Sequence, residues 1–109
     1  MKNKFYHSVV KKIKNKLPIS YPVYVRRVQM PQDSFGDCWF DGDNELFFIR
    51  IDKTLSQMWA VNIFCHEYAH ALTWNKEQED DHGPSWGKAY SKVYRILVEY
   101  LNHCNSLNE

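Results

Sequence analysis

The chain has 109 residues, of which 44% are hydrophobic and 25% are charged. This composition predicts one folded domain, residues 1–109, with a single hydrophobic core. The formal net charge is +1. No apolar run approaches the roughly 20 residues of a transmembrane helix, and residues 1–20 lack the apolar segment of a secretory signal, so we expect neither a membrane-spanning nor a secreted protein.

The first predicted element is a helix over residues 4–17, whose apolar side chains fall within an arc of roughly 140° at 100° per residue. Pro18 ends this helix. Basic residues dominate the same region, because residues 1–32 contain eight Lys and Arg and no acid, which gives +8 there and −7 in residues 33–109. This asymmetry predicts a surface that binds DNA, although a solvated helix face explains the same pattern. The residues considered for DNA contact are Lys4, Lys11, Lys12, Lys14, Arg26 and Arg27.

Three strands are predicted next, at residues 22–30, 37–40 and 45–51. The first is rich in β-branched and aromatic residues, and the other two flank Asp41-Gly42-Asp43-Asn44, a strong hairpin signal. Short connections favour the pairing of consecutive strands. The three strands therefore predict a small antiparallel sheet.

Two further helices complete the predicted fold. Thr54 or Ser56 can cap a helix that runs to about Asn75, and residues 76–83 have the polar, acidic composition of a loop. Ser85 can cap the last helix, whose apolar residues recur at helical spacing through Leu101. A helix, three strands and two helices in this order predict an α+β domain with helices packed on the sheet.

The motif His66-Glu67-Tyr68-Ala69-His70 lies inside the first of these two helices. Histidines four residues apart share one helix face, so both imidazoles can reach one zinc ion at about 2.0–2.1 Å. Glu67 can take a proton from water, and the motif thus supplies two ligands and a general base for metal-assisted hydrolysis. The alternative is an ordinary helix with packed or solvated histidines. Apolar residues on nearly every side favour the metal site, because they predict a buried helix in which polar groups need partners.

A catalytic zinc usually has three protein ligands, and His82 is the predicted third. It lies where the loop meets the last helix, Gly83 allows a turn, and Pro84 suits a helix start. Glu77 is about 10 Å along the helix from His70, too far to bind the same ion. The weaker competitors are Asp80, Asp81, Glu99, His7 and His103.

The cysteines Cys38, Cys65 and Cys104 are odd in number and lack paired metal-binding spacing. They are expected to be reduced thiols that pack as small hydrophobic residues. Reduced thiols and the lack of a signal segment predict an intracellular, cytoplasmic protein. We further expect a monomer that does not contact a membrane.

Residues 66–70, followed by His82-Gly83-Pro84-Ser85-Trp86-Gly87-Lys88, resemble the SprT-like zinc metalloproteases. In that family a His-Glu-x-x-His helix is followed by a variable loop and then by His-Gly-x-x-aromatic at the start of another helix. The similarity extends over roughly residues 20–100 and includes Gly36-x-Cys38. It implies a minimal zincin-like fold, Zn²⁺ on His66, His70 and His82, Glu67 as the base, and cleavage of proteins associated with or crosslinked to DNA.

The main hypothesis is therefore hydrolysis of peptide bonds in a protein or peptide substrate. Tyr68 and Tyr90 are candidates for the donor that stabilises the oxyanion. One alternative is a non-catalytic, zinc-stabilised module that binds DNA or a protein, although a structural zinc site needs no base such as Glu67. Another is a zinc hydrolase that acts on a bond other than the peptide bond.

Overall fold

Helices cover one face of a small sheet, as a computed structural model of the chain shows for residues 4–74 and 82–108. Helix α2 contacts α1, α3 and the strands β2 and β3. No helix in these ranges is long and apolar enough to cross a membrane. The α+β class is confirmed. In chain order the elements are α1 (Lys4–Lys16), β1 (Val23–Val28), β2 (Gly36–Asp41), β3 (Leu46–Asp52), α2 (Gln57–Leu72) and α3 (Pro84–Asn108).

Helix α1 forms where the apolar periodicity predicts it. Tyr6, Val9 and Ile13 lie on one side of the helix and are buried, which is the arrangement expected of an amphipathic helix on a core. The Gln57 side chain of α2 accepts a hydrogen bond of 2.9 Å from the Tyr6 backbone N–H. This bond satisfies one of the amide groups left unpaired at a helix start and joins α1 to α2.

The sheet is mixed, so the prediction of an antiparallel sheet is wrong in one strand pair. The strand order is β1-β3-β2, with β1 parallel to β3 and β2 antiparallel to it. Val28 pairs with Asp52 and Gly36 pairs with Ile51, so residues 29–35 pass across the end of β3. Seven residues easily span two strand spacings of about 4.8 Å. A short connection therefore does not require that consecutive strands be neighbours.

The predicted hairpin between β2 and β3 is confirmed. The Asp41 carboxylate accepts hydrogen bonds from the backbone N–H groups of Asp43 and Asn44, at 3.1 and 3.2 Å, and from the Asn44 side chain at 2.9 Å. These bonds hold the pKa of Asp41 below its ordinary value. Glu45 completes the turn with a positive φ of 54°. The tight turn fixes the register of β2 on β3, and both strands pack against α2.

Helix α2 runs through the middle of the core. Ser56 caps it, as predicted, and its Oγ accepts a hydrogen bond of 3.3 Å from the Trp59 N–H. The helix ends at Leu72, about three residues before the predicted end near Asn75, because Thr73 leaves the helical conformation as the C-cap and donates its backbone N–H to the His70 carbonyl. Burial on all sides was expected, but Met58 and Trp59 in the first turn are 43% and 65% exposed. Burial of α2 therefore begins only after its first turn.

Helix α3 begins two residues earlier than a cap at Ser85 predicts. Pro84 is its first residue, because a proline needs no hydrogen-bond acceptor for its nitrogen and suits the first helical position. Ser85 therefore lies within the first turn and is not the cap. The predicted apolar spacing is confirmed, since Val93 and Leu97 are fully buried.

Candidate metal centre

The two histidines of the motif meet on one face of α2. Their Nε2 atoms are 3.2 Å apart, and the centres of their rings are 4.9 Å apart. Both residues lie within the helical range Gln57–Leu72, so their separation follows from the four-residue helical repeat. Each side chain is half-buried. The helix alone thus provides two converging ligands.

His82 brings a third imidazole to the same place from the start of α3. Its Nε2 lies 3.2 Å from that of His66. The ligand atoms of His66, His70 and His82 all lie within 4.8 Å of one another, and His82 is the exposed member. In residues 4–74 and 82–108 this is the single group of three potential ligands that is this compact. The structure therefore joins the three histidines that the sequence singled out.

The spacing of these nitrogens fits a tetrahedral metal ion. Two nitrogens that each lie 2.0–2.1 Å from one zinc ion, at the tetrahedral angle, are about 3.3 Å apart. The two Nε2–Nε2 distances of 3.2 Å agree with this value. A set of three imidazoles also suits zinc among the common protein metals. The three histidines are therefore close enough to hold a metal ion.

Glu67 follows the first histidine and lies against β2. It is 8% exposed and is the one buried charged side chain within the described ranges. A Cβ atom added to Gly36 would lie 3.7 Å from the Glu67 Cγ and 2.5 Å from the Ile63 Cγ2. The close approach of β2 to α2 beside Glu67 therefore depends on the missing side chain of Gly36.

Trp86, which occupies the aromatic position of the motif that follows His82, packs against all three histidines, a contact that the sequence analysis did not predict. The centre of its indole ring lies 5.0 Å from that of His66, 5.5 Å from that of His70 and 4.7 Å from that of His82. Its Nε1 also donates a hydrogen bond of 3.3 Å to the His66 carbonyl. The spacing could have predicted the contact with His82, because Trp86 follows His82 by four residues at the start of a helix, which places the two side chains close together.

The two tyrosines that were candidates for the oxyanion donor differ in position. The Tyr68 hydroxyl donates a hydrogen bond of 2.6 Å to the Leu17 carbonyl, and its side chain is 1% exposed. The Tyr68 hydroxyl therefore makes its hydrogen bond inside the core and does not point to the three histidines as an oxyanion donor would. Tyr90 stacks on Trp86, with ring centres 5.0 Å apart, and burial raises the pKa of its phenol above the ordinary value. Tyr90 is thus the candidate that remains beside the histidines.

The competing ligands do not enter the described cluster. His7, His103 and Glu99 are exposed and are not part of the three-histidine group. Glu77, Asp80 and Asp81 lie outside the described residues, as do residues 76–81 of the loop predicted at 76–83; residues 82 and 83 are not helical, as predicted.

The cysteines are free thiols, as predicted. Cys65 is buried on α2, and burial raises the pKa of its thiol to about 12. Cys38 is half-buried on β2, and burial, followed by the nearby Glu67 carboxylate, raises its pKa to about 12. Both thiols are therefore protonated near neutral pH, which disfavours metal binding by either sulfur.

The basic residues of the N-terminal third fall into two groups. Lys14 donates a hydrogen bond of 2.9 Å to the Val23 carbonyl. Arg27 donates to three backbone carbonyls at 2.7–3.2 Å and lies over the Tyr6 ring. These two cations hold the fold together. The exposed members of the set are Lys4, Lys11, Lys12 and Arg26.

Comparison with known proteins identifies the chain at the level of a family. The model of the SprT-like family matches residues 3–105, which is nearly the whole chain. A search of curated proteins found no match. The matched range includes the three histidines, Glu67 and Trp86. The chain therefore belongs to the SprT-like family.

Proposed function

We propose that this protein is a zinc-dependent metallopeptidase that hydrolyses peptide bonds, with His66, His70 and His82 as the zinc ligands and Glu67 as the general base. The observation that carries the proposal is the convergence of three imidazoles beside a buried carboxylate. The His66 Nε2 lies 3.2 Å from the Nε2 of both His70 and His82, and Glu67 is buried on the helix that carries His66 and His70. Membership of the SprT-like family is consistent with this activity.

Zinc at this position would supply a Lewis acid that polarises the scissile carbonyl and lowers the pKa of water. Glu67 accepts the proton from the attacking water and later delivers it to the leaving amine. A general base needs a fixed position, and Glu67 has one because it lies on a core helix packed closely against β2. Because the three imidazoles would serve as zinc ligands, the Glu67 carboxylate is the remaining group of the motif that can carry a proton.

Tyr90 is the proposed donor to the developing oxyanion. Its stacking on Trp86 places the phenol one ring away from the histidines. The Tyr90 phenol, whose pKa lies above the ordinary value of 10.0, is protonated at neutral pH and can donate a hydrogen bond. Removal of one such donor typically lowers kcat by about 10²–10³-fold. Tyr90→Phe is expected to show a loss of this size with zinc content unchanged.

The first experiment measures bound zinc by elemental analysis and proteolysis of an unfolded protein substrate. We expect one zinc in the wild type, loss of zinc in His82→Ala, and full zinc with no proteolysis in Glu67→Gln. The matched control is His103→Ala, which removes an exposed histidine of α3 and should keep both zinc and activity. Full proteolysis by Glu67→Gln would refute the mechanism. A zinc-loaded protein without proteolysis would favour the binding module.

We further propose that the substrates are proteins associated with DNA, and the exposed Lys4, Lys11, Lys12 and Arg26 support this idea. Phosphate contacts make binding weaker as salt increases, with a slope that reflects the number of contacts. Affinity for DNA should therefore fall steeply with salt in the wild type and less steeply when the three exposed lysines are changed to glutamine. Undetectable binding at low salt would refute this part of the proposal.

A further inference from the structure

An apolar pocket lies at the start of α2, outside the three-histidine group. Its cavity is about 310 Å³ and is lined by Phe35, Leu55, Trp59 and Ile63. Trp59 is 65% exposed and Phe35 is 59% exposed, the two highest values among the large hydrophobic residues in the described ranges. Two solvent-exposed aromatic side chains that line the same cavity indicate a binding site rather than scattered surface residues.

The pocket lies one to two helical turns from Glu67 along α2. Trp59, Ile63 and Glu67 follow at four-residue intervals, so they form one stripe on the helix. At 1.5 Å per residue, Ile63 is about 6 Å and Trp59 about 12 Å from Glu67 along the helix axis. Gly36 of β2 packs beside both Ile63 and Glu67, since a Cβ there would meet both side chains, so the pocket and Glu67 lie along the same outer strand of the sheet.

We propose that this pocket binds a large apolar side chain of the peptide substrate, two to four residues from the scissile bond. The inference rests on the proposed function, because it names a specificity site for the same catalytic centre. An extended peptide advances about 3.3 Å per residue, so two to four residues span the distance from Glu67 to the pocket.

The dimensions of the pocket suit one side chain of a peptide. A volume near 310 Å³ is at the lower limit of the range of roughly 300–1,000 Å³ found for small-molecule sites. All four lining residues are apolar, so the pocket offers no charged group for a phosphate or a carboxylate. Its distance of only one to two helical turns from Glu67 favours a segment of the substrate over an unrelated ligand. The expected side chains are Phe, Leu and Met.

The test uses zinc-loaded protein and a series of ten-residue peptides of Ala, Gly and Ser with a single Phe, matched to peptides with Gly at that position. Cleavage sites are read by mass spectrometry, and binding is read separately by fluorescence polarisation of labelled peptides. We expect kcat/KM at least about 10-fold higher for the Phe peptide, with cleavage at a constant distance of two to four residues from the Phe.

Trp59→Ser is the informative variant, and its side chain is exposed enough that folding should be retained. The ratio of kcat/KM for the Phe peptide to that for the Gly peptide should fall to below about 3. The matched control is Trp39→Ser on β2. Trp39 is 38% exposed and stacks on Phe48 on the sheet face away from α2. This control should retain the wild-type preference.

The outcomes separate the pocket from the catalytic proposal. Cleavage without a preference for Phe, or a preference that persists in Trp59→Ser, would overturn the inference and leave the peptidase standing. If no peptide is cleaved but the Phe peptide binds more tightly than the Gly peptide, and Trp59→Ser removes the difference, the pocket is supported and the peptidase is not. A dimer that Trp59→Ser dissociates, seen by ultracentrifugation, would overturn the inference in favour of self-association.

Discussion

Replacement of Gly36 by alanine tests the contact between β2 and the motif helix. The new Cβ would lie 2.5 Å from the Ile63 Cγ2 and 2.9 Å from the Arg50 carbonyl oxygen, whereas ordinary contact begins at 3.4 Å. The side chain of Ile63 can rotate, but the Arg50 oxygen is part of the backbone of β3. The strand therefore has to shift by several tenths of an ångström beside Glu67.

Insertion of one methyl group into a well-packed interface typically costs about 1–3 kcal/mol. At roughly 4–8 °C per kcal/mol for a domain near this size, the thermal midpoint of Gly36→Ala should fall by at least about 4 °C. Circular dichroism during heating and urea titration measures the change. The same shift moves β2 relative to Glu67, so proteolysis should decrease more than the bound zinc does.

Gly87→Ala is the matched control, because it adds the same methyl group where no atom lies within 4 Å. Gly87 is in α3, where alanine is favoured over glycine by about 0.5–1 kcal/mol. The two substitutions should therefore change stability in opposite directions. A Gly36→Ala variant as stable as the wild type would refute the view that β2 approaches α2 too closely for a side chain.

Two further predictions concern hydrogen bonds that hold the elements around the site. Tyr68→Phe should lose about 1 kcal/mol through the bond to the Leu17 carbonyl, measured by urea denaturation at pH 7. Burial raises the pKa of Tyr68 to about 12 from an ordinary value of 10.0. The neutral phenol therefore stabilises the fold fully below pH 10, and this contribution is lost as pH rises from 10 to 12. The stability of Tyr68→Phe should fall less than that of the wild type over this interval, and an identical fall would contradict the assignment. Arg27→Met should cost about 1.5–3 kcal/mol, because a charged donor to three carbonyls of residues 52–55 is removed. Arg26→Met, at an exposed position of the same strand, should change stability by less than about 0.5 kcal/mol, and equal losses in the two variants would show that the carbonyl contacts contribute nothing.

Local patterns predicted most of the elements. The amphipathic spacing of α1, the Asp41-Gly42-Asp43-Asn44 turn and the Ser56 cap all reflect interactions between residues close in the chain, and the structure confirms them. The error in the sheet has a different origin. Whether β1 pairs with β2 or with β3 depends on long-range packing, which the length of the connection at residues 29–35 leaves open.

The sequence by itself determined the reactive groups, because His66, Glu67 and His70 are brought together by the repeat of a single helix. Only the tertiary structure placed His82 at 3.2 Å from His66, since the packing of α3 on α2 sets that distance. Tertiary packing also decided that Trp86 contacts all three imidazoles and that Phe35 and Trp59 flank one cavity beside the motif helix. These contacts join residues far apart in the chain, and no local periodicity encodes them.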